Sequence, residues 1–176
     1  MTTNRFALSA SVPVAIAVIL LSILYYVFDI DGRSSWGYLT YAVLLAGIVW
    51  GVLQLRDKHF GGVITYGQSF AAGTLISLYT GAITAVYTFL FYKYFAPEQI
   101  QVLLEKAEDE MYRKAPQLSD QEFEMAMAMT AKFMTPFWLS VTTLVGLLII
   151  GLILSLIASI FLKRNEPNQI IQDQNL

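Results

Sequence analysis

The chain has 176 residues, 56% of them hydrophobic and only 14% charged, with a mean hydropathy of +0.57 and a formal net charge of −2. A typical soluble domain is about 25% charged. This composition excludes an ordinary soluble domain, a disordered chain and a nucleic-acid-binding protein, and the lack of cysteine removes disulfides, thiolate metal sites and cysteine nucleophiles together.

The charges are unevenly placed. Four stretches, 6–28, 36–55, 70–92 and 137–162, contain no Asp, Glu, Lys or Arg, so all 11 basic and 13 acidic residues fall outside them. A hydrocarbon core about 30 Å thick takes roughly 20 apolar residues in a helix, and each stretch reaches that length. Lipid offers backbone N–H and C=O groups no partner, which favours helices that satisfy their own. The pattern predicts an all-α integral membrane protein, a single membrane domain over 1–176. It has four transmembrane helices and an amphipathic helical insert between spans 3 and 4.

Span 1 covers about 6–28, with Pro13 in its first half. Its apolar run is longer than a signal-peptide core and ends in bulky Tyr25-Tyr26-Val27-Phe28, so it reads as a retained span. The link 29–35, with Asp29, Asp31, Gly32 and Arg33, is short enough to force spans 1 and 2 into an antiparallel hairpin. Span 2, about 36–55, opens with Trp36 and Tyr38 and carries Trp50 near its other end. A polar link over 56–69 follows, with Arg56, Asp57, Lys58 and His59, then Gly61-Gly62. Span 3 is about 70–92 and runs out through Lys93, Tyr94 and Phe95.

The insert, 96–136, reads as two amphipathic helices. Pro97 suits a first helical turn. Ile100, Leu103, Leu104, Ala107 and Met111 follow helical spacing on one face. Ala115-Pro116 breaks that helix, and Ser119-x-x-Glu122 is a capping box that starts the next. Phe123, Met127, Thr130 and Met134 form the second helix's less polar stripe. Pro136 marks entry into span 4, about 137–162, and the tail begins Lys163-Arg164.

Orientation follows from Lys and Arg near span ends. Arg5, Arg56, Lys58, Lys163 and Arg164 give one side five basic residues in 33, against six in 51 on the other, and four of them abut span ends. This predicts a multi-pass protein of a bacterial inner membrane, with both termini cytoplasmic and the insert outside. Tyr25, Tyr26, Trp36, Tyr38, Tyr92, Tyr94 and Trp138 would form the outer aromatic belt, with Trp50 and Tyr66 near the inner one.

Ionisable residues inside the membrane mark pumps, ion-coupled transporters and voltage sensors, and the spans hold none. Small residues take their place. Span 3 carries Gly73, Ser77, Gly81 and Ala85 at four-residue spacing, and a hydroxyl stripe that includes Thr74, Thr80, Thr84 and Thr88. Span 2 has Gly47-x3-Gly51, and span 4 has Gly151-x3-Ser155-x3-Ser159. Such positions let helices approach closely in lipid. The simpler reading of Gly47, Gly51, Gly73, Ser77, Gly81, Thr84, Gly151 and Ser155 is packing between helices. The sharper reading is a ligand path or a homo-oligomer seam.

Three other features invite chemistry. Met125, Met127 and Met129 resemble a soft-metal run, but alternate residues of a helix point apart, and an interfacial helix explains them equally. Glu105, Glu108 and Asp109 share a helical face that reads as solvated rather than as a divalent-cation site. His59, the only histidine, has no nucleophile beside it in a catalytic pattern.

Arg56-Asp57-Lys58, Gly61-Gly62, Ile64-Thr65-Tyr66-Gly67-Gln68-Ser69-Phe70, Pro97 and the run from Gly151 to Ile157 before Lys163-Arg164 together resemble the bacterial membrane family catalogued as domain of unknown function 4199. The resemblance covers nearly the whole chain, to Arg164, and is most specific between Gly61 and Phe70. It implies a four-span inner-membrane protein and carries no activity, cofactor or catalytic residue. The expectation is therefore a non-enzymatic membrane protein without a cofactor. It would sit in the lipid bilayer and act through helix packing with itself or a membrane protein partner, and would bind no nucleic acid. The alternative is a passive transporter or channel for a small solute along the hydroxyl face of span 3.

Overall fold

The computed structural model describes residues 3–30 and 37–164. The readings placed on Trp36, on the link residues Asp31, Gly32 and Arg33, and on the tail beyond Arg164 lie outside the described residues. Six α-helices follow in order: α1 (Thr3–Val27), α2 (Tyr38–His59), α3 (Tyr66–Leu90), α4 (Gln99–Lys114), α5 (Asp120–Phe133) and α6 (Pro136–Leu162). A single π-turn, Phe91–Phe95, extends α3, closed by the Ala96 N–H donating to the Phe91 carbonyl at 2.9 Å. No strand is present among the described residues. Four segments are long and apolar enough to cross a membrane: Thr3–Val27, Tyr38–His59, Tyr66–Phe95 and Pro136–Leu162.

Two boundaries differ from the hydropathy reading by a full helical turn. Residues Arg56 to His59 are not a link but the last turn of α2. Loss of apolarity ends a span, whereas a helix continues until its backbone is broken. Basic side chains are also favoured at a helix C-terminus, where they meet the negative end of the dipole. The break comes at Gly61 and Gly62, whose φ angles are +60° and +90°. There the Phe60 and Gly62 N–H groups both donate to the Arg56 carbonyl, satisfying it as glycine-terminated helices commonly do. Helix α3 then starts at Tyr66, four residues before the span read from hydropathy. Gln68 N–H donates to Thr65 Oγ1 at 3.3 Å, and Thr65 N–H donates to Gln68 Oε1 at 3.0 Å. This is a capping box of the T-x-x-Q kind.

The chain divides into two compact units, Met1–Ile83 with Val145–Leu176, and Thr84–Leu144. In the first, α1 and α2 pair antiparallel, as a short link requires. The Phe6 ring near the start of α1 meets His59 at the end of α2 edge-on at 5.3 Å. Asp29, with φ +49°, ends α1 in the left-handed conformation that Asp tolerates better than most side chains. One continuous core takes Ala7, Ala10 and Val14 from α1 and Leu44, Ile48 and Val52 from α2. Ala72 and Ile76 come from α3, and Leu147 and Ala158 from α6. Ile64, fully buried, exchanges two backbone hydrogen bonds with Arg164, at 3.0 and 2.9 Å. That antiparallel bridge ties the α2–α3 turn to the exit of α6.

The second unit holds the insert. Ile100, Leu103, Leu104, Ala107 and Met111 are all half-buried, while Glu105, Glu108 and Asp109 are exposed, so the amphipathic reading of α4 holds. The same is true of Phe123, Met127, Thr130 and Met134 on α5. The rings of Tyr112 and Phe123 stack at 4.2 Å and fasten α4 to α5. The capping box forms as read: Ser119 Oγ accepts from the Glu122 N–H, and the Glu122 carboxylate accepts from the Ser119 N–H at 3.0 Å and from its hydroxyl at 2.8 Å. Those bonds hold the Glu122 carboxyl below the ordinary glutamate range, backbone bond first.

Candidate functional site: the small-residue seams

Four of the small residues singled out in the sequence meet in two pairs, Gly73 with Ser155 and Gly151 with Ser77, while Gly47 and Gly51 meet larger side chains. A Cβ placed on Gly47 would lie 2.5 Å from Val14 Cγ2, so α1 and α2 touch there backbone to side chain. One placed on Gly51 would lie 2.5 Å from Ile76 Cδ1 and 3.5 Å from Ala10 Cβ, which puts α2 in contact with both α3 and α1. On Gly73 it would meet Ser155 Oγ at 2.6 Å and Ile48 Cγ2 at 3.0 Å. On Gly151 it would collide with the Ser77 side chain.

The last two contacts are reciprocal. Gly73 of α3 accepts Ser155 of α6, and Gly151 of α6 accepts Ser77 of α3. Each glycine supplies the space that the other helix's serine fills, which lets two spans approach more closely than larger side chains would allow. Four residues forward on α3 match four residues back on α6, and the Ile64–Arg164 bridge lies in that same register. Continued by one turn, the register places Ser69 opposite Ser159, both buried. Gly81 is buried on the same stripe of α3, and Thr84, which opens the second unit, is buried too.

The hydroxyls divide into two sets. Ser77 donates back to the Gly73 carbonyl at 2.9 Å, and Thr88 to that of Thr84 at 2.9 Å, the usual local solution for a hydroxyl in an apolar helix. The hydroxyls of Ser69, Thr74, Thr80 and Ser155 are buried with no hydrogen-bond partner among the described residues. Hydropathy reading could not separate the sets, because both sit at the same helical spacing.

Elsewhere the chemistry is sparse. A groove of about 330 Å³ lies between α1 and α2, walled by Pro13, Ala17, Val43, Ala46 and Trp50, all apolar. Among the described residues, no three of His, Asp and Glu come together where they could hold a metal ion. Met125 and Met129 are exposed while Met127 is half-buried, so the three thioethers do not converge. His59 is exposed and packs on Phe6. Lys93 lies over the Phe89 and Tyr94 rings at 5.1 and 5.2 Å, a cation–π arrangement suited to the end of a span.

Four span-length apolar helices, seams of glycine and serine, and charges confined to the helix ends and the insert define an α-helical integral membrane protein. The chain belongs to the family described as Protein of unknown function (DUF4199), whose model matches residues 11–164. No curated protein and no solved structure matches it.

Proposed function

We propose that the chain is a non-enzymatic, multi-pass protein of a bacterial inner membrane that acts through contacts with a membrane protein partner or a second copy. Both termini lie in the cytoplasm and the α4–α5 insert lies outside. The observation that carries this reading is where the charge sits. The insert and its flanks, 93–136, hold 5 basic and 8 acidic residues, and Glu105, Glu108 and Asp109 stand exposed together on α4. The glycine and serine faces are occupied within the chain, so the contact surface is the charged face of α4 and not those faces. Cross-linking and mass measurement in native-like lipid test this. A specific complex weakened by Glu105→Gln, Glu108→Gln and Asp109→Asn together is the expected result. A lone monomer that captures nothing overturns it.

A passive path for a small solute is the second reading. The buried, unpartnered hydroxyls of Thr74 and Thr80 favour it, because an orphaned polar group in an apolar interior is costly. The Gly73–Ser155 and Gly151–Ser77 contacts weigh the other way, since they leave no room for a methyl group. Solute flux into proteoliposomes decides between them: flux reduced by Thr80→Val supports a path, and no flux above empty vesicles removes it.

A further inference from the structure

Helix α5 carries two apolar stripes, and only one is covered. Phe123, Met127, Thr130 and Met134 are half-buried. Met125, Met129 and Phe133, spaced by four residues, are 64%, 59% and 56% exposed. Residues four apart lie on one helical face, so these three form a continuous exposed line of large apolar side chains. Asp120 and Glu124, themselves four apart, stand exposed on another side of the helix and make the polar flank.

The line does not end with α5. The Phe133 ring meets Trp138 edge-on at 5.3 Å, and Trp138 meets Phe137 at 5.6 Å. Both belong to the first turn of α6, a membrane span, and Phe137 is itself exposed. Only Met134 and Thr135 separate the two helices. The exposed stripe of α5 is therefore continuous with the exposed side of the first turn of α6. Tryptophan at the point of entry is a side chain that settles at a bilayer boundary. An amphipathic helix with apolar residues on one side and charges on the other lies in the interface plane.

We propose that α5 lies on the bilayer surface with Met125, Met129 and Phe133 inserted at the boundary between headgroups and acyl chains. The occupant of the stripe is the membrane itself. This assigns Met125 and Met129 to lipid contact, and it leaves the acidic face of α4 as the water-facing side of the insert. The inference rests on the membrane class of the protein and not on any partner.

The chain has no cysteine, so single cysteines can be placed without removing any. Met125→Cys, Met129→Cys and Phe133→Cys, with Asp120→Cys and Glu124→Cys on the polar flank, are labelled with an environment-sensitive fluorophore. The full-length protein is reconstituted in phosphatidylcholine vesicles with and without nitroxide-labelled phosphatidylcholine. The expected result is blue-shifted emission quenched by the nitroxide lipid at 125, 129 and 133, with neither effect at 120 and 124. Unshifted emission at all five positions places α5 in water and overturns the proposal. A blue shift at 125 and 129 without quenching means that protein covers the stripe, and overturns it equally. Because the vesicles contain this chain alone, failure here is distinct from failure to find a partner.

Discussion

Ser77 on α3 occupies the space that a Cβ on Gly151 of α6 would need. Gly151→Ala therefore forces the two helices apart or drives Ser77 from its rotamer. Overpacking of this kind costs about 1–3 kcal/mol. Gly146, on the same helix, has nothing within 4 Å of an added Cβ. Gly146→Ala should be neutral or stabilising, because glycine inside a helix is worth about 0.5–1 kcal/mol less than alanine. Thermal unfolding of both variants in detergent micelles checks the pair. Equal losses would mean that the seam is not tight.

The turn after α2 depends on backbone conformation. Gly61 and Gly62 have positive φ and open space around them, so a substitution there meets strain and not crowding. Gly62→Ala should lower stability by about 1–2 kcal/mol, the cost of holding an L-residue in the left-handed region. Gly67→Ala, equally uncrowded but without positive φ, should lose nothing. Melting temperatures measured side by side settle this.

The start of α5 should respond to acid. Its hydrogen bonds with Ser119 depress the Glu122 carboxyl, so the folded form prefers the carboxylate. The stabilisation is complete above the ordinary glutamate pKa and is lost as pH falls through the depressed one. Amide hydrogen exchange across Glu122 and Phe123 should therefore quicken in that acidic window. In Glu122→Gln the same amides should show a much flatter response. An unchanged pH response in the variant would assign the effect to other carboxylates.

Two rings hold the insert's helices together. The Tyr112–Phe123 stack at 4.2 Å should contribute about 0.5–1.5 kcal/mol beyond simple burial. Tyr112→Ala and Phe123→Ala should each raise exchange rates in both α4 and α5, and the double variant should lose less than the two single losses combined. Additive losses would show that the rings act separately.

The spans were readable because lipid imposes a length and excludes charge, and both conditions are visible one residue at a time. The amphipathic faces of α4 and α5 were readable for a similar reason, from Ile100 to Met111 and from Phe123 to Met134. The end of α2 was not, since Arg56 to His59 lose hydropathy while keeping their helix. The Thr65–Gln68 cap has the same pattern as Ser119–Glu122 but lies four residues outside the apolar run that begins at Phe70, so hydropathy does not mark it. The small residues stand out in the sequence by their spacing, but their partners do not. Gly73 could have met any small residue of three other spans, and nothing local distinguishes Ser155 from Ser159. The exposed stripe of α5 was hidden by alternation, because Met125 and Met127 look alike in sequence and face opposite ways on the helix.

The bridge between Ile64 and Arg164 bears on that ambiguity. The α3–α6 seam repeats every four residues, like the teeth of two combs. A slip of one tooth would still set small residues against small residues. A periodic contact holds two helices close but does not tell them which tooth is which. The bridge occurs once, outside the repeat, and its paired hydrogen bonds form at one offset only. It acts as the index mark of the seam, fixing α6 against α3 at a single offset.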